Sequence, residues 1–172
     1  MKPTRPPNGK RKQKRKTARL INQAAKLQKL ASELGFNNIF QPGLLKEIVL
    51  AYKLGHCVHV NKHGADAYSE DGRTCYEYLT CTQNGTFQLD RMFKEPVEKR
   101  ERSLQRITRN AAIYCAIYAK DDPLMPLEVY EVAPSVLSAE VERQLDASSN
   151  SIAHVSLSVP WVKQNGGRVY AN

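Results

Sequence analysis

A chain of 172 residues, 41% hydrophobic and 25% charged, has the composition of an ordinary globular protein and is long enough to bury a real core. It contains no apolar run of membrane-span length, and its formal charge of +9 points to a polyanionic partner without selecting DNA over RNA or a membrane surface. The excess is local: Lys2, Arg5, Lys10, Arg11, Lys12, Lys14, Arg15, Lys16 and Arg19 crowd the first nineteen positions with no acid, while the rest of the chain is balanced.

Residues 1–19 are therefore expected to form a basic, flexible arm, and residues 20–172 a single α/β domain. A block of like charge containing Pro6-Pro7 and Asn8-Gly9 does not pack well and commonly binds nucleic acid. Lys10, Arg11, Lys12, Lys14, Arg15 and Lys16 are its candidate contacts; a solubilising tail or a localisation signal is the plainer alternative. The basic N-terminus lacks the apolar segment of a secretory signal. A cytoplasmic, reducing location follows, with the four cysteines as free thiols.

From Thr17 to Leu34, apolar residues recur at helical spacing and Gly35 supplies a C-cap. Pro42 is expected to start a second helix ending at Gly55, with Leu45, Ile48, Val49, Tyr52 and Leu54 as its buried face. Cys57–Val60 alternates as a strand, and 65–68 and 73–82 form a hairpin across Ser69-Glu70-Asp71-Gly72. A turn follows at 83–86, after which Phe87, Leu89 and Met92 resume the chain. Residues 95–109 are charged and helical. The apolar run 111–119 suits a central strand, with 127–132 beside it. Ser135 to Leu145 forms an amphipathic helix capped by Ser135. Residues 152–158 alternate as a last strand, and Trp161 to Tyr170 closes the chain.

Three carboxylates stand out in this order: Glu47 on the second helix, Asp66 on one hairpin strand and Glu77 on the next. Side chains alternate along a strand, so Cys75, Glu77, Leu79 and Cys81 share a face that Asp66 can approach from the sheet edge. Gly64 leaves room for close approach. Such a cluster suits Mg²⁺, which takes a few carboxylates plus water and substrate phosphate. Asp66 and Glu77 are the expected metal ligands, with Glu47 adding an oxygen or orienting a metal-bound water; Mn²⁺ is a possible substitute. The plainer reading makes Asp66 a turn cap and leaves Glu77 and Glu47 in solvent.

The sequence LLKEIVLAYKLG, followed by GADAY and CYEYLTC, resembles the core of the PD-(D/E)XK, or restriction-endonuclease-like, nuclease superfamily. AAIYCAIYA, PLEVYEV and IAHVSLSVPWVKQNGG continue the likeness as central, neighbouring and late strands, so that it spans about Leu44 to Val169. The resemblance implies a mixed sheet flanked by helices and a type II restriction-like endonuclease. Such an enzyme cleaves double-stranded DNA with Mg²⁺ and works as a homodimer. It also implies a lysine two residues after the second acid, where this sequence has Leu79. Either another residue substitutes (Lys62 first, with Lys46, Lys53 and Gln88 as rivals), or the domain is a non-catalytic DNA- or RNA-binding protein on a nuclease-like fold.

His56, Cys57, His59, His63, Cys75 and Cys81 could suggest zinc, but without a Cys-x-x-Cys pair they are expected as structural residues; His63 could also contact phosphate. Beyond the arm, Arg102, Arg106 and Arg109 would share a helix face and meet DNA phosphates. The interleaved Glu95, Glu98 and Glu101 offer the competing reading of a salt-bridged, solvated helix.

Overall fold

The computed structural model describes residues 8–58 and 64–172, which fall into two compact units, 1–44 and 45–172. The first is built on helix α1 (Asn8–Glu33). This helix begins well before Thr17, so most of the basic segment lies on it. Lysine and arginine are good helix formers, and apolar periodicity does not register them. Gly35, at φ 89°, ends α1 as expected: Phe36 N–H reaches Ala31 O at 2.9 Å and Gly35 N–H reaches Ser32 O at 3.0 Å, the two bonds of a Schellman cap. Gln28 then ties the following loop back through Asn37 O and Ile39 N–H.

Helix α2 (Leu44–Leu54) starts two residues after Pro42, and from Leu45 on it belongs to the second unit. Its sheet-facing stripe is Glu47, Leu50, Ala51 and Leu54, at i, i+3, i+4 and i+7. Leu50 and Ala51 are fully buried, whereas Tyr52, expected on the buried face, is 84% exposed. The true phase is one position away from the expected one, because a helix this rich in leucine and isoleucine offers two competing apolar stripes.

A six-stranded sheet follows, built from β1 (Cys57–Val58), β2 (Ala67–Tyr68), β3 (Cys75–Thr82), β5 (Ala112–Tyr118), β6 (Pro126–Val132) and β8 (Gly167–Ala171) in the order β1-β2-β3-β5-β6-β8. Only β3 and β5 run parallel; the other pairings are antiparallel. The fold is thus mixed α/β, with a mostly antiparallel sheet flanked by helices. The 111–119 run does form the central strand, and all seven residues of β5 are buried.

The β3–β5 crossover contains β4 (Thr86–Phe93) and helix α3 (Val97–Thr108). Strand β4 pairs with β7 (Ile152–Ser158) in a separate ribbon. Helix α4 (Pro134–Ala147) begins on Pro134 after an Ala133 N-cap, not on a Ser135 cap: proline at the first helical position gives up only an N–H that would lack a partner anyway. The closing segment is a short helix α5 (Val159–Asn165) followed by β8.

Alternation along the strands divides the core in two. On one face, Leu50 and Ala51 of α2 meet Ala67, Tyr78, Ala112, Tyr114, Ala116, Tyr118 and Val129. On the other, the β4–β7 ribbon with α3, α4 and α5 covers Cys81, Ile113, Cys115, Ile117 and Val132.

Adjacent glycines at the α5–β8 junction should behave differently. A Cβ on Gly166 would lie 3.0 Å from Glu131 O, Val132 Cγ2 and Val162 O, whereas one on Gly167 would meet nothing within 4 Å. Urea unfolding should show Gly166→Ala destabilised by about 1–3 kcal/mol and Gly167→Ala within about 0.5 kcal/mol of wild type.

Candidate functional site

Strand β3 presents Tyr76, Tyr78 and Thr80 to the α2 face and Cys75, Glu77, Leu79 and Cys81 to the α3 face. Strand β2 supplies the partner carboxylate. Its ladder with β3 ends at Ala67 opposite Tyr76, and the next residue, Asp66, substitutes a side chain for backbone: its Oδ2 accepts the Tyr78 N–H at 2.8 Å. Asp66 is therefore pinned to the strand that carries Glu77. Just before it, Gly64 adopts φ 146°, with a would-be Cβ 2.8 Å from the Tyr68 hydroxyl.

Glu77 looks into a narrow cleft lined also by Leu79, Leu89, Met92, Arg106, Ile107, Ile113 and Leu137, with a volume of about 10 Å³. That is room for about one water, so a substrate must approach at its rim. Glu77 Oε2 is buried without a hydrogen-bond partner. Burial, with the like charge of Asp66 behind it and a smaller push from Glu47, raises the Glu77 carboxyl to about 7 against the pull of Arg109 and Arg106. The three acids expected from the sequence thus influence one another, and two arginines of α3 and its cap join them.

Glu47 is placed by the helical stripe it shares with Leu50, Ala51 and Leu54, which the expected phase of α2 did not capture. Its sheet-facing position replaces the solvent-exposed one of the plainer reading. Among the described residues, no three His, Cys, Asp or Glu side chains are close enough to hold one ion, so Glu47 acts on the pair by charge. Two carboxylates are within the number that Mg²⁺ takes from protein, the rest of its shell being water and phosphate. A desolvated carboxylate oxygen with no donor, beside a second acid, is what such an ion would satisfy.

Arg106 and Arg109 come from the far end of the crossover. Arg106 Nη1 donates to Asp90 O at 3.2 Å, and Arg109 Nη2 donates to Gly64 O at 3.1 Å, tying α3 to the turn before Asp66. Their electrostatic pull on Glu77 had no sequence signal, because it depends on how the crossover folds back. Leu79 shares the cleft with Glu77, so at the position of the expected lysine an apolar wall stands beside Arg106.

Lys62 and His63 lie outside the described residues, as do His59 and the side chains of Lys10 and Arg11. Lys12, Lys14, Arg15 and Lys16 are exposed on α1. Lys46 sits over the Tyr118 ring at 4.6 Å and Lys53 over Tyr170 at 5.3 Å, both aromatic contacts away from the cleft lining. His56 is structural: Nδ1 meets the Tyr78 hydroxyl at 2.8 Å and the ring stacks on Tyr76 at 4.0 Å. Cys81 and Cys115 are buried and Cys75 is partly buried, while Cys57 is exposed on β1, only two residues long. No helix of the described residues is long and apolar enough to cross a membrane. In comparisons with known proteins, the sequence matches no family model and no curated protein.

A raised carboxyl pKa is a stability statement. Burial raises the Glu77 carboxyl from its ordinary 4.5 to about 7, so the native state holds the extra proton between those values and loses stability as pH rises through that window. In chelator, Glu77→Gln should be more stable than wild type at pH 8 by about 1–3 kcal/mol. The difference should vanish near pH 4. Urea midpoints across this range check it, and a difference independent of pH contradicts it.

Proposed function

We propose that this protein is a metal-dependent endonuclease that hydrolyses phosphodiester bonds of double-stranded DNA, built on a restriction-endonuclease-like domain. The observation that carries the reading is the meeting of Asp66 and the partnerless, buried Glu77 Oε2 with Arg106 and Arg109 at one sheet edge. The order of a helix bearing Glu47, a strand led by Asp66, a turn and a strand bearing Glu77, with the next long strand parallel to it, fits the same reading.

Asp66 and Glu77 would hold Mg²⁺, with Mn²⁺ as an alternative; the bound ion supplies Lewis acidity and a water of lowered pKa. Burial lets Glu77 bind strongly once ionised. The Tyr78 N–H fixes Asp66, and Glu47 adds negative potential that attracts a cation to the site. Arg106 and Arg109 supply the opposite charge for an incoming phosphate and for charge developing on it. Arg106 takes over the electrostatic part of the work expected from a lysine at Leu79. A guanidinium stays protonated, so Arg106 orients and stabilises but does not accept a proton. A homodimer, with one site per strand, suits cleavage of both strands.

Leu79 favours a second reading, a DNA- or RNA-binding protein that has lost cleavage. Plasmid digestion with Mg²⁺, Mn²⁺ or chelator separates the two. The nuclease reading predicts metal-dependent fragments, abolished in Asp66→Ala and Glu77→Ala. It also predicts a rate about 100-fold lower or more in Arg106→Gln, partly restored in Arg106→Lys. Binding without cleavage under every metal would establish the second reading.

A further inference from the structure

Beside the Glu77 cleft, and sharing Arg106 with it, lies a second and more open groove of about 270 Å³ lined by Arg91, Phe93, Lys99, Arg102, Ser103 and Arg106. Its size approaches that of small-ligand sites, about 300 Å³ at the lower end. Four of its six lining residues are cations and none is an acid.

The groove is built by two local features. Lys99, Arg102, Ser103 and Arg106 fall at i, i+3, i+4 and i+7 on α3, a single helix stripe. Glu101 lies about 100° round the helix from Arg102, and Glu98, one turn before Arg102, forms no salt bridge with it. Among the described residues, Arg91, Lys99, Arg102 and Arg106 make no salt bridge, although Arg100 on another face of α3 pairs with Asp146 at 2.7 Å. The salt-bridged helix anticipated as the plainer reading is not what these residues form.

The second feature is a bulge in β4, where Asp90 and Arg91 stand opposite the single residue His154. Arg91 there adopts φ 54°, an uncommon state for a non-glycine residue, and such strain clusters at functional sites. Phe93, two residues on, gives the groove an aromatic wall. Its N–H is held by Ser103 Oγ at 3.0 Å, and Lys99 Nζ lies 5.3 Å from its ring centre.

Unpaired cations around an aromatic wall suit a phosphate together with an unstacked base, the combination that binds single-stranded nucleic acid. We propose that this groove is a single-strand subsite, in which Arg91, Lys99 and Arg102 hold a backbone phosphate while a base rests on Phe93. The inference rests on the nuclease reading and sharpens it: the substrate would present an unpaired nucleotide next to the bond cleaved at Asp66 and Glu77.

The test is fluorescence anisotropy in chelator with the full chain, a labelled dT12 strand and a duplex of equal length. Arg91 and Arg102 are exposed, so their substitutions leave the fold intact. Arg91→Gln and Arg102→Gln should each weaken dT12 binding and lower the slope of log affinity against log salt by about 0.7 for a lost single-strand contact. Phe93→Leu, which keeps an apolar residue on the strand, should weaken dT12 binding about tenfold with the slope and duplex affinity unchanged. Wild-type dT12 affinity in all three variants would overturn the proposal, as would a Phe93→Leu loss equal for both probes. Because binding is read without metal, a subsite that binds in a protein unable to cleave would overturn only the nuclease reading. Cleavage with an indifferent groove would overturn only the subsite.

Discussion

The parallel pairing of β3 with β5 is the constraint from which the candidate site follows. Parallel neighbours cannot be joined by a tight turn, so the chain must cross over the sheet before β5 can form. Here the crossover carries β4 and α3, and the fully buried β5 anchors their return. The face of β3 that they cover holds Glu77, and α3 brings Arg106 to the same cleft. On the opposite face, Ala112 and Ala116 leave space for α2 to pack closely through Leu50 and Ala51, which turns Glu47 toward the sheet. One backbone pairing thus brings Glu77 and Arg106 to the same cleft.

Electrostatics at that edge are unbalanced by construction. Burying Glu77 costs energy that neither arginine fully offsets, and its carboxyl stays well above the ordinary range. A fold selected for stability alone would replace such a group with an apolar one. In the proposed reading a cation is the missing partner of this group, and strongly perturbed carboxyls are common at functional sites. Lys99 and Arg102 of α3, which make no salt bridge among the described residues, present the complementary imbalance.

Much of this arrangement was legible in the residues. Period-two alternation in CYEYLTC put Glu77 and Leu79 on one face, and the turn glycines marked the ends of α1 and α2. The apolar run 111–119 announced a central strand. Other features were hidden for physical reasons. In β4 the buried residues Phe87, Leu89 and Met92 are spaced by two and then three, because the bulge at Asp90 and Arg91 breaks the alternation that identifies a strand. The seven residues of α5 are too few to show a helical period. The approach of Arg106 to Glu77 is tertiary, joining positions 29 residues apart through a crossover, and no local pattern encodes it.

The central claim is that Glu77 is a buried carboxylate held ready for a cation. It is tested most directly by following the Glu77 side-chain carboxyl through a pH titration by carbon NMR, with and without Mg²⁺. An apparent pKa near 7 in chelator, falling when Mg²⁺ is added and unresponsive to Mg²⁺ in Asp66→Ala, is the predicted result. A Glu77 carboxyl that titrates in the ordinary glutamate range, about 4.3, and does not respond to Mg²⁺ would contradict the account.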